Sequence, residues 1–139
     1  FLDAMRAHGL TAEKKMIREG THTAEGGQEA MAALLRLSKP PTAVIASNDW
    51  TAIGALHAID SAGLRVPRDI SLVGFDDIPL VSYTTPPLTS VQISAADVGS
   101  VAFQALFGLI AGERVEGNVY QIPAKLVVRA STAKPRKRL

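Results

Sequence analysis

The chain has 139 residues, 47% hydrophobic and 20% charged, enough for one sizeable core with an appendage. Its net charge is +2, but Lys134, Arg136, Lys137 and Arg138 crowd the tail, and the slightly acidic body that remains is no polyanion binder by charge. Without cysteine there are no disulfides or thiolate chemistry; no apolar run reaches the ~18 residues of a membrane span, and no signal peptide is visible.

Phe1, Leu2 and Met5 form a short apolar face before His8-Gly9 and predict the last turns of a helix that begins upstream. Residues 14–18 predict a short strand. Thr23 is placed to cap a helix with Glu25 in its first turn and Met31, Leu34 and Leu35 on its buried stripe, ending at Pro40-Pro41. The run Ala43, Val44, Ile45, Ala46 predicts a second strand. Ala52, Ile53, Ala55, Leu56 and Ile59 then recur at helical spacing, with Gly63 placed to stop that helix and Pro67 to prevent its resumption. Residues 70–75 predict a third strand, residues 78–87 a connection with room for one helical turn, and residues 88–92 a fourth strand. Ser94 and Asp97 resemble a capping box, followed by a helix with Val98, Val101, Ala102, Ala105, Leu106, Leu109 and Ile110 on one face. Residues 119–122 and 126–129 predict short strands before a solvated basic tail.

Residues 42–77 thus form a strand–helix–strand unit, and residues 14–77 are expected to hold three parallel strands and two helices. Each of the later strands ends in a polar pair, Asn48-Asp49 and Asp76-Asp77. Parallel strands point their carboxyl ends to one edge, where open α/β sheets bind ligands. An amide and a carboxylate are therefore expected at one crevice.

The segments PPTAVIASNDWTAIGAL (residues 40–56), GLRVPRDISLVGFDDIP (residues 63–79) and PPLTSV (residues 86–91) resemble the lactose/galactose repressor (LacI/GalR) family, and the likeness runs over nearly the whole chain. The resemblance implies a doubly wound, mostly parallel α/β sheet, a periplasmic-binding-protein-like lobe of type I, with one helix crossing to the other lobe. It divides the chain into 1–92, the carboxy-terminal lobe truncated at its start; 93–118, crossing to the amino-terminal lobe; 119–132, return strands; and 133–139, the basic tail. It further implies the effector-binding and dimerisation portion of a cytoplasmic bacterial transcription regulator. Such a protein binds a small sugar or polyol and controls operator DNA through an amino-terminal head for which this chain shows no candidate. A periplasmic sugar-binding protein of a transport system shares the same cleft and is the alternative.

From position alone Asn48 reads as a turn or cap residue; the resemblance makes it an effector contact. Asp76 matches the family's sugar-contacting aspartate, and a carboxylate accepting two hydroxyl protons is a strong polyol anchor. Asp77 reads as a loop organiser and Asp49 as a helix-start residue. His22 stands where the family carries an aromatic that packs on the effector, and Trp50, beside the Asn-Asp pair, offers a stacking face or a buried contact. Gln92 lies near the family's cleft glutamine, one residue out of register. The resemblance also places Ile53, His57, Val81, Tyr83 and Thr84 at a two-fold dimer interface. His8, His22 and His57 lack metal-ligand spacing, no phosphate-loop, nucleophile-elbow or dinucleotide motif is present, and no catalytic acid/base pair is found, so neither an enzyme nor a cofactor is expected.

Overall fold

The computed structural model describes residues 1–112, 117 and 119–135. The described strands form one sheet in the order β1 (Ala43–Ile45), β2 (Ser71–Asp76), β3 (Thr89–Ile93) and β4 (Ala124–Val127). The first three run parallel, and β4 is antiparallel to β3. The helices are α1 (Leu2–Ala7), α2 (Ala24–Leu35), α3 (Asp49–Ser61) and α4 (Ala95–Ile110). This is the mostly parallel α/β sheet that the apolar runs predict.

The core joins Met31 and Leu34 of α2, Ala52, Ala55 and Ile59 of α3, Leu72 of β2, Val81 and Leu88. Burying each large side chain contributes ~1.5–3 kcal/mol. Helices α2 and α3 approach to backbone contact through glycine: a Cβ on Gly27 would overlap the Thr51 carbonyl, and one on Gly54 the Ala24 carbonyl. Thr23 caps α2 by accepting the Gly26 N–H at 3.1 Å. Helix α3 ends as Gly63 predicts: that residue takes φ +71°, its N–H donates to Asp60 O, and the Leu64 N–H donates to Ile59 O. Beyond β4, buried Ser131 stitches two strands together, accepting the Thr89 N–H at 2.8 Å and donating to Leu72 O at 2.6 Å.

Several expectations need correction. Residues 14–18 do not form a strand. Lys14–Met16 is a 3-10 turn in which the Met16 and Ile17 amides donate back to Glu13 and Lys14. Those donors are spent locally, and Lys15 pairs with Glu13 at 2.7 Å. Residues 14–77 therefore contain two parallel strands rather than three. As a result β1 is an edge among the described residues, with Ile45 64% exposed. Helix α2 stops at Leu35, because the chain already turns at Arg36 with the Leu37 N–H on Leu34 O. Residues 119–122 form no strand, and the last strand starts at Ala124, two residues earlier than expected. Its expected end is drawn out of the ladder because the Arg129 N–H donates to Thr89 Oγ1 at 2.9 Å. Val81, which the resemblance places at a subunit interface, is fully buried in the core of this chain.

Helix α4 buries only Gly108. Phe103, Leu106, Phe107, Leu109 and Ile110 are all exposed, with the two phenylalanine rings stacked at 6.1 Å. Part of the expected crossing segment (113–116 and 118) and the end of the basic tail (136–139) lie outside the described residues.

Candidate functional site

Strand register builds the site. The β1–β2 ladder ends with Ile45 opposite Val73; Asn48 follows β1 by three residues as the N-cap of α3 and Asp76 is the last residue of β2, so both stand at the carboxyl edge of the sheet. Asp76 in turn pairs with Gln92 on β3. Three of the side chains singled out from sequence are thereby placed at one edge, on three neighbouring elements.

Asn48 is the N-cap of α3. Its Oδ1 accepts the Thr51 N–H at 2.8 Å, and its Nδ2 donates to His22 O at 3.0 Å. The amide thus does structural work while remaining half-buried. His22 takes φ +60°, and its Nδ1 lies 3.3 Å from Ser47 Oγ. The exposed imidazole is in this way brought from the loop before α2 to the end of β1. Trp50 lies in the first turn of α3, 49% exposed.

Both aspartates after β2 adopt left-handed backbone, Asp76 at φ +106° and Asp77 at φ +56°. Such conformations cost ~1–3 kcal/mol each and persist only where the surroundings hold them. Asp77 is held firmly. Its N–H donates to Ser90 Oγ at 3.2 Å, Gln92 Nε2 donates to its Oδ2 at 3.0 Å, and Arg129 Nη1 lies 2.7 Å from its Oδ1. It organises the loop, as its sequence position suggests. Asp76 differs: its carboxylate is exposed and has no hydrogen-bond partner among the described residues. Partial burial, then the charge of nearby Asp49, raises its carboxyl above the usual aspartate range.

Two features were not legible from motifs. Asp49 is fully buried; its Oδ1 accepts the Ser90 hydroxyl at 2.6 Å and its Oδ2 the Ile78 N–H at 2.8 Å. The available signal was periodicity, since Asp49 stands on the same stripe as Ala52, Leu56 and Ile59. Arg129 offered no local signal, because its partner lies on a distant strand. At the expected pairing surface, Tyr83 is 82% exposed, His57 is exposed, and Ile53 and Thr84 are half-buried. Among the described residues no three His, Cys, Asp or Glu side chains gather where they could hold a metal ion, and no helix is long and apolar enough to cross a membrane.

Set against known proteins, residues 1–132 match the periplasmic binding protein-like domain family. The transcriptional regulator MalR of Streptomyces coelicolor is 41% identical over 94% of this chain, which covers 38% of that protein. A LacI-family regulatory protein from Chloroflexus aggregans superposes with a TM-score of 0.82 at 36% identity, over 95% of this chain and 48% of that one. The regulator CelR, solved as a cellobiose complex, superposes with a TM-score of 0.86 at 31% identity, over 93% of this chain and 39% of that one. The chain spans well under half the length of the curated regulators it matches. It belongs to the periplasmic binding protein-like domain family, and its relatives are LacI-family transcriptional regulators.

Proposed function

We propose that this chain is the carboxy-terminal part of the effector-binding domain of a cytoplasmic LacI-type transcriptional regulator. It binds a small sugar or polyol in a cleft between two lobes, and the resulting change in lobe geometry alters the affinity of a DNA-binding head outside this chain. The observation that carries this reading is the free carboxylate of Asp76, at the same carboxyl edge of the sheet as the Asn48 amide. Every other polar side chain at the end of β2 and β3 is engaged, so the exposed acid is available for ligand hydroxyls. The cellobiose complex of CelR supports a sugar as the ligand class. His22 and Trp50 would then supply stacking faces and Gln92 a second polar edge.

Residues 1–92 form most of the carboxy-terminal lobe, residues 93–118 cross to the other lobe and residues 119–132 return. Helix α4 would cover its apolar face there. Two copies would pair through Ile53, His57, Tyr83 and Thr84. The transport alternative gains nothing from the relatives, which are named as regulators.

Calorimetric titration of the full-length protein with a sugar panel that includes cellobiose tests the reading, followed by operator binding with and without the sugar that binds. A sugar that binds and shifts DNA affinity is expected. Binding with no effect on DNA would move the assignment to transport, and turnover of a bound sugar would make the protein an enzyme.

A further inference from the structure

Asp49 is the one fully buried carboxylate among the described residues, and both groups facing it are donors. The Ile78 amide can only donate. The Ser90 oxygen already accepts the Asp77 N–H at 3.2 Å, so its own proton points at Asp49 Oδ1. An asparagine here would aim an NH2 at one of these donors, so the site requires a carboxylate. Space has been made for it: a Cβ on Gly74 of β2 would collide with Asp49 Oδ1. Directly and through Ser90, Asp49 therefore grips the two consecutive amides that follow Asp76, at the turn where Asp76 and Asp77 are left-handed.

We propose that Asp49 is the positioning residue for Asp76: with Ser90 it clamps the left-handed turn that presents the Asp76 carboxylate at the crevice. One short stretch of α3 then supplies both the Asn48 amide and the brace for the opposite anchor. The functional consequence rests on the reading of Asp76 as a ligand contact; the clamp itself does not. The charged groups at this edge are Asp49 from α3, Asp77 beside Asp76, exposed Lys125 of β4, which stands opposite Gln92, and Arg129 after β4, which is committed to Asp77. β3 contributes the neutral Gln92, and the loop before α2 contributes His22.

The test uses ligand-free, full-length protein with Asp49→Asn and Ser90→Ala. Hydrogen exchange is read at the Asp77 and Ile78 amides, and the Asp76 carboxyl is titrated by carbon-13 NMR. Asp49→Asn should speed exchange at both amides at least tenfold and lower the Asp76 titration toward the ordinary range. Ser90→Ala should speed the Asp77 amide while leaving the Asp76 titration near wild type, because the Asp49 charge remains. Folded Asp49→Asn with unchanged exchange or an unmoved Asp76 titration overturns the proposal. If Asp49→Asn does not fold, unchanged Asp77 exchange in Ser90→Ala does so. Asp76→Asn with undiminished sugar binding would instead remove Asp76 from the site and leave the clamp standing.

Discussion

Arg129 Nη1 lies 2.7 Å from Asp77 Oδ1, an ion pair that ties the stretch after β4 to the end of β2. The same guanidinium donates to Leu88 O at 2.8 Å, and Gln92 holds the other Asp77 oxygen. Both charged side chains are largely withdrawn from solvent, so removing one leaves the other poorly compensated. Arg129→Ala is expected to cost ~3 kcal/mol, the lower end of the range for breaking a buried pair, because Gln92 remains. Urea unfolding measures it; a loss under ~1 kcal/mol would show the pair behaving as a surface bridge.

The α2–α3 crossing offers a second check. Ala24 carbonyl stands where a side chain on Gly54 would go, so Gly54→Ala must push the two helices apart. Alanine favours helix by ~1 kcal/mol over glycine, yet overpacking costs ~1–3 kcal/mol and should win in so tight a contact. A lowered denaturation midpoint is expected, whereas a stabilised protein would mean the crossing is loose.

The unit from β1 to β2 was legible because each of its signals is local. Asn48 caps α3, Gly63 stops it, and the apolar runs on either side become strands. Asp76 was legible because its position at a strand end is set by that same unit. The strand expected over residues 14–18 failed because Met16 and Ile17 are too few to outweigh a local turn whose amides bond back to Glu13 and Lys14. The burial of Val81 was not legible for a different reason. An apolar residue in a proline-bearing loop reads equally as a surface contact or a core plug, and only the tertiary packing with Leu88 distinguishes them. The clamp formed by Asp49 and Ser90, and the pair of Arg129 with Asp77, join distant segments, which no spacing rule connects.

Helix α4 yields a prediction about what lies beyond this chain. Phe107 is exposed here beside Phe103. On an open face, Phe107→Glu would change stability by no more than ~0.5 kcal/mol. If the rest of the protein covers the face, as proposed, the loss in full-length protein should exceed ~2 kcal/mol, since a large apolar side chain would be replaced in a buried setting. Urea unfolding of the two proteins decides between these outcomes.

Asp76→Asn probes the site itself. Asparagine tolerates left-handed backbone as aspartate does, so the turn at φ +106° should survive the exchange. Because partial burial and the Asp49 charge raise the Asp76 carboxyl, the folded protein binds this proton more tightly than the unfolded chain. Between the ordinary aspartate range and the raised value, stability therefore increases as pH falls, and at neutral pH the ionised group is a cost. Asp76→Asn should leave ligand-free thermal stability unchanged or raise it, and should remove that slope. Sugar affinity should move the other way. Hydroxyl donors would lose a charged acceptor worth ~1.5–3 kcal/mol, roughly a tenfold to hundredfold weaker dissociation constant. In the wild type, binding should weaken on acidification at a higher pH than an ordinary aspartate would allow. Calorimetric titrations across pH, run beside thermal unfolding without ligand, supply both readouts. Equal affinities would take Asp76 out of the site, and a mutant less stable than wild type before sugar is added would make its role structural.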